Sequence, residues 1–193
     1  MTLADRLRDA VLRPGGASSD FDLNPDITLP PGRVLRPAAV LVAIAGDRLI
    51  LTKRASHLKH HPGQIAFPGG KVDAGDPTPE AAALREAQEE ISLPPEVVEV
   101  WGRLPNHETV TGFAITPVLG RVRDAFTPVP EAGEVEEVFT VPLAHVLAPD
   151  RFMIERRRWR GEWRRFYTVP YGPYYIWGAT ARILRGLADR VQP

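Results

Sequence analysis

The chain has 193 residues and a mass of 21.3 kDa, with 44% hydrophobic and 25% charged residues, which suits one globular domain or one domain with an arm. It has no cysteine, and that excludes disulfide frameworks, thiolate zinc sites and cysteine nucleophiles together. Its 24 basic and 24 acidic residues cancel, which excludes a uniformly basic binder of nucleic acid. The zero is a sum of opposed blocks: residues 1–70 carry a net +3, residues 71–150 a net −10 and residues 151–193 a net +7.

Residues 2–13 read as a helix, with Leu3, Leu7, Ala10 and Val11 at helical spacing and Pro14-Gly15-Gly16 as the stop. The segment carries Asp5 and Asp9 and does not read as a secretory leader. No apolar run approaches the ~18 residues of a membrane span. A cytoplasmic protein with no membrane partner is therefore expected. Residues 14–32, rich in Pro, Gly, Ser and Asp, read as a loosely held connection. An arm at residues 1–32 followed by a domain at 33–193 is the expected division.

Ala38–Ala45 is an unbroken apolar run of strand length, and Arg48–Arg54 follows it across the Gly46-Asp47 turn, so a hairpin is predicted. Residues 55–70 read as a long loop. A helix is predicted over 77–91, capped by Thr78 with Pro79 next, or by Asp76 with Pro77. Strands are predicted at 97–104, 114–122 and 134–141. A second hairpin spans 152–169 around Arg160-Gly161, and a closing helix runs over 175–191. Short strands mixed with two or three helices indicate an α+β domain in α/β/α layers.

On the predicted helix, at about 100° per residue, Leu84, Ala87 and Ile91 share one face while Glu86, Glu89 and Glu90 lie opposite. Like charges at these spacings repel by a few tenths of a kcal/mol per pair. A solvated acidic face and a site for a hard cation both fit the helix taken alone. The preceding Phe67-Pro68-Gly69-Gly70 favours the second, because paired glycines permit close backbone approach to a ligand.

Gly70, Asp76 and Arg85-Glu86-Ala87-Gln88-Glu89-Glu90-Ile91-Ser92-Leu93 resemble the Nudix box, GX5EX7REUXEEXGU with U apolar. Three departures stand out: Asp76 replaces Glu, one extra residue precedes Arg85, and Ser92 replaces the last Gly. In the family that Glu helps to hold the Arg, so the support of Arg85 is in question from sequence. Upstream, Ile50-Leu51-Thr52-Lys53-Arg54-Ala55, then Lys59, Gly63 and Phe67-Pro68-Gly69-Gly70, resemble the coenzyme A pyrophosphatase signature LLTXR(S/A)X3RX3GX3FPGG. The likeness extends over roughly residues 35–190.

The resemblance implies a Nudix-type α/β/α sandwich with a mixed sheet and a loop–helix–loop that carries the metal site. It implies hydrolysis of the pyrophosphate of coenzyme A or its thioesters, with Mg²⁺ or Mn²⁺ as cofactor. Glu86, Glu89 and Glu90, with the Gly69 carbonyl, would be metal ligands, and Arg85 would orient the carboxylates. Glu89 is also a catalytic candidate, and Glu134, Glu136 and Glu137 are candidates for the general base, Glu137 foremost. Arg54, Lys59, His61, Gly63, Phe67 and Gly70 are the substrate-binding candidates, although Phe67 is of a type more often found in a core.

His57 and His60 read as solvated. Seven arginines between Arg151 and Arg165, interleaved with Trp159 and Trp163, fit an exposed hairpin, a phosphate or RNA contact, or pairing across a homodimer. Other nucleoside diphosphate derivatives (ADP-ribose, dinucleoside polyphosphates, a capped RNA end) stay open as substrates. So does a non-catalytic nucleotide- or RNA-binding module, against which three intact carboxylates argue.

Overall fold

The computed structural model describes residues 2–29, 31–159 and 161–192. Helix α1 (Leu3–Leu12) is followed by strands β1 (Ser18–Ser19), β2 (Arg36–Ala45), β3 (Arg48–Arg54), β4 (Ile65–Ala66) and β5 (Gly69–Lys71). Helix α2 (Pro79–Ile91) leads to β6 (Val98–Arg103), β7 (His107–Glu108), β8 (Phe113–Val122) and β9 (Val135–Pro142). A short helix α3 (Leu143–Val146), the strands β10 (Met153–Trp159) and β11 (Glu162–Thr168), and helix α4 (Gly178–Val191) complete the chain.

The centre of the molecule is a mixed sheet. Strands β2 and β8 run parallel in register from Arg36 opposite Phe113 to Ala45 opposite Val122. Both faces of β2 are covered, which explains its unbroken apolar run. Ala39, Leu41 and Ala43 point to the face under α2, where Ala82, Ala83, Ala87 and Ile91 meet them. Val42 and Ile44 point to the other face, where Leu7 and Ala10 of α1 and Leu184, Leu187 and Val191 of α4 pack. The period-two alternation of a strand thus divides one apolar run between two cores. The layering is the expected α/β/α arrangement of an α+β fold.

The predicted β2–β3 hairpin survives only at its turn, through Ile44 opposite Leu49 and Ala45 opposite Arg48. Beyond it β3 diverges and pairs with β9 from Arg48 opposite Pro142 to Arg54 opposite Val135. The gap this opens along β2 is filled by β5, antiparallel at Ala38, Ala39 and Val40. Part of the loop expected at 55–70 is therefore strand, because β2 would otherwise leave backbone groups unpaired.

The 14–32 segment is tied down more firmly than its composition suggests. Strand β1 pairs in parallel with β7. Asn24, only 8% exposed, brackets the backbone of Arg165 by donating to its carbonyl at 3.0 Å and accepting from its N–H at 2.8 Å. Helix α1 opens with a capping box between Thr2 and Asp5 and sits in its own chain's core through Leu7 and Ala10.

The 152–169 hairpin is present as β10 and β11, with Arg157 opposite Arg164; the tip residue Arg160 lies outside the described residues. The closing helix begins at Gly178, three residues later than expected. Trp177 is extended instead, bridging Thr168, while Val169 donates to the Ile176 carbonyl at 2.9 Å. Backbone pairing with the end of β11 overrides the helical spacing there.

Candidate active site

Helix α2 starts where Thr78 accepts a hydrogen bond from the Ala81 N–H at 3.2 Å, with Pro79 in the first turn. It ends at Ser92, which takes the left-handed conformation (φ 58°, ψ 32°) that the family's glycine would adopt without strain. A Ser92→Gly substitution is expected to stabilise the protein by about 0.5–1 kcal/mol, a rise of about 1–4 °C in a thermal melt. An unchanged or lowered Tm would contradict that account of the cap.

Arg85 is the hub of the loop–helix unit. Its Nε and Nη2 donate to the two oxygens of Asp76, each at 3.0 Å. Nη2 also donates to the Lys71 carbonyl at 3.1 Å, and Nη1 donates to Glu86 at 3.2 Å and Glu89 at 3.0 Å. The support that seemed in question from sequence is present: Asp76 delivers the fork-to-carboxylate pair. Hydrogen bonding to Arg85 holds the Asp76 carboxyl below the usual carboxylate range.

The three box carboxylates are not equivalent. Glu89 is exposed, Glu86 is half-buried, and Glu90 is only 5% exposed. The helical wheel misplaces Glu90. The apolar face is centred on Ala83, Ala87 and Ile91 rather than on half-buried Leu84, so Glu90 lies on its flank and turns inward. There its Oε2 accepts from the Gly69 N–H at 3.1 Å. Burial pushes its carboxyl up to about 7, with neighbouring Glu86 adding to the rise and Arg54 opposing it. Burial also raises the Glu86 carboxyl, against the pull of Arg85.

The paired glycines act differently. Gly69 has φ 154°, and a Cβ there would collide with the Ala39 carbonyl and with Val40, the latter at 2.6 Å from its Cα. The three atoms nearest a Cβ on Gly70 all belong to the carboxylate of Glu86.

Among the described residues, no three acidic or imidazole groups stand together as a ready-made metal cage. Glu86 and Glu89 lean toward Arg85 instead. The donor set nonetheless suits a hard divalent cation: oxygen ligands only, with one carboxylate buried beside another and short of positive charge.

Strand β3 links the carboxylate helix to a neighbouring cavity, which Lys53 lines but Arg54, Glu86, Glu89 and Glu90 do not. The Arg54 side chain lies near enough to Glu90 to favour its ionised form, and its Nε is buried with no hydrogen-bond partner among the described residues. His61 and Gly63, both at positive φ (53° and 68°), line this cavity of about 700 Å³. Lys59 is exposed and does not line it. Phe67 is 3% exposed inside the core and supports the loop from beneath, so its expected contact with substrate is corrected.

Strand β9 sorts the three base candidates. The ammonium of Lys53, at 2.6 Å, and the Ser56 hydroxyl pull the Glu136 carboxyl down to about 2, which makes it a poor base. Glu134 lies near Glu86 and Glu90 and raises both. Glu137 lines the cavity and accepts from the Tyr174 hydroxyl at 2.5 Å, with Tyr174 stacked on Phe139.

Several cavity residues escape sequence reasoning. Phe166 and Trp177 meet edge to face at 5.2 Å, and Tyr175 donates to Glu155 at 2.7 Å. Asp20 reaches the cavity from the N-terminal segment. It is fixed by fully buried His107 at 3.1 Å and by the Val110 N–H at 2.8 Å. The only signal for the aromatic wall is the density of rings in Tyr171–Trp177, which spacing alone assigns partly to helix.

Comparison with known proteins agrees with this architecture. A NUDIX domain model matches residues 34–161. A protein of Enterobacter sp. (strain 638) named "Uncharacterized Nudix hydrolase NudL" is 46% identical over 159 residues, covering 81% of this chain and 83% of the relative. A protein of the same name from Salmonella paratyphi B has the same identity and coverage. The NUDIX domain of Shewanella oneidensis NrtR, solved with ADP ribose, superposes with a TM-score of 0.52 at 16% identity, over 86% of this chain and 95% of that one. At that identity the likeness speaks for the fold. No helix among the described residues is long and apolar enough to cross a membrane. The matched domain, the loop–helix unit around Arg85 and relatives nearly half identical over four-fifths of the chain together establish that this protein belongs to the Nudix hydrolase family.

Proposed function

We propose that the protein is a divalent-metal-dependent diphosphatase acting on coenzyme A or its thioesters, releasing 3′,5′-ADP and 4′-phosphopantetheine or its acylated form. The observation that carries the chemistry is Glu90, a buried carboxylate beside Glu86 whose hydrogen bond among the described residues comes from a single backbone N–H. Such a group is costly unless a cation joins it. Support for the substrate comes from the Ile50–Gly70 signature, whose Gly63 lies on the cavity wall beside His61.

In this reading Glu86, Glu89 and Glu90, with the Gly69 carbonyl, hold Mg²⁺ or Mn²⁺. The ion supplies charge neutralisation at phosphoryl oxygens and a more acidic water. Arg85 positions Glu86 and Glu89 and keeps the loop on the helix through Asp76. Arg54 meets the diphosphate, its buried Nε gaining an acceptor. Glu137, oriented by Tyr174, takes the proton of the attacking water as a phosphorus–oxygen bond of the diphosphate breaks. His61 and Gly63 bound the substrate on the β3 side, and Lys59 adds charge outside the cavity.

The test is a side-by-side panel of coenzyme A, ADP-ribose, diadenosine polyphosphates and capped RNA with Mg²⁺ or Mn²⁺, with products separated by chromatography. Coenzyme A is expected to give the highest kcat/KM and to yield 3′,5′-ADP. A higher kcat/KM for any other member would overturn the substrate assignment and leave the metal chemistry standing.

A further inference from the structure

The cavity has a cationic end that the diphosphate chemistry does not use. Arg157 and Arg164 sit directly opposite each other on β10 and β11, so both side chains emerge on one face of the hairpin, and both line the cavity. Like charges in direct cross-strand register are unfavourable. Arg157 is absent from the ion pairs among the described residues and lies over the Trp177 ring at 5.5 Å. Trp177 in turn meets Phe166 and, at 6.4 Å, Tyr175. Guanidinium groups bordering aromatic faces suit a flat ring that carries an anion, and beside a diphosphate-cleaving site a heteroaromatic base with an attached phosphate is the ligand of that kind. Asn24 holds this end in place by gripping the Arg165 backbone next to Arg164.

We propose that the hairpin end of the cavity is a specificity subsite for a nucleoside bearing a phosphate monoester apart from its diphosphate, with Arg157 and Arg164 gripping that monoester and Trp177 flanking the base. The inference rests on the coenzyme A reading, since the adenosine of that molecule carries such a phosphate. It gives the +7 block of the C-terminal segment a role in selection. A substrate lacking the extra phosphate forgoes the contact with Arg157.

The test is calorimetric binding of adenosine 3′,5′-bisphosphate and of adenosine 5′-monophosphate to the full chain, independent of turnover. Wild-type protein is expected to prefer the bisphosphate by at least about tenfold, the worth of one good charge-assisted pair. Arg157→Ala should bring the ratio near unity, and Arg157→Lys, which keeps charge but loses the planar fork, should fall between. A thermal melt of each variant checks that it is folded. Equal wild-type affinity for the two nucleotides, or a ratio unchanged in Arg157→Ala, would overturn the subsite. If the bisphosphate preference appears while coenzyme A is not cleaved, the proposed activity fails and the subsite stands.

Discussion

Glu90→Gln is expected to lose metal-dependent hydrolysis by more than about 100-fold while making the metal-free protein more stable. The first effect exceeds the roughly 10–100-fold cost of losing a residue that only supports a metal ligand, because Glu90 is assigned as a ligand itself. The second follows from burial. A carboxyl pushed up to about 7 in the fold, against 4.5 as the ordinary value, is penalised when ionised. With the folded value raised, its favourable contribution is complete below the ordinary glutamate range and is lost as pH rises through about 7. At pH 8 the penalty is up to about 3 kcal/mol, which an uncharged glutamine removes while its amide oxygen still accepts from the Gly69 N–H. In chelator, the variant should therefore melt several degrees higher than wild type at pH 8 and almost level with it at pH 5. Added Mn²⁺ should raise the wild-type melt and leave the variant's nearly unmoved. A variant less stable than wild type at pH 8, or one with wild-type turnover, would contradict this view of Glu90.

The adjacent glycines should separate fold from site. Gly69→Ala forces a Cβ onto the backbone of β2 at a positive φ, and neither Ala39 nor Val40 is free to move in the middle of the sheet. The expected cost is about 2–5 kcal/mol, a fall in Tm of about 5–15 °C. Gly70→Ala presses first on the end of the Glu86 side chain, which can swing away, so stability should change by less than about 1 kcal/mol. Moving that carboxylate should still cost at least about tenfold in kcat/KM. Thermal melts and steady-state rates on the two variants decide the matter. Equal Tm losses would show that both glycines serve the fold, and full activity in Gly70→Ala would remove Glu86 from the metal site.

Much of this was legible in the sequence, and the gaps have physical causes. The β2 run, the α2 cap at Thr78 and the Arg85–Glu90 spacing are local features, and local features set the elements and the carboxylate helix. What the wheel could not provide was the direction of the core. Glu90 is buried because α2 presents Ala83, Ala87 and Ile91 to β2, and that depends on where β2 lies. Asp76 could be weighed only as a departure until the loop brought its two oxygens onto Arg85. Glu134, Glu136 and Glu137 are neighbours in sequence. They part only because β9 pairs with β3, which puts Glu136 beside Lys53 and Ser56 and turns Glu137 to Tyr174. The aromatic wall and Asp20 depend on contacts between segments far apart in the chain, which spacing does not encode.

The charge blocks meet in the folded molecule. Acidic α2 stands beside Arg54 from the first block, and the cavity reaches from Glu137 to the arginines of the last. The most direct test of the account is the product analysis of coenzyme A incubated with wild-type protein in Mg²⁺ or Mn²⁺ and, in parallel, in chelator. The expected result is 3′,5′-ADP and 4′-phosphopantetheine in equal amounts with metal and neither without it. Cleavage that persists in chelator, or an intact pyrophosphate in the presence of metal, would contradict it.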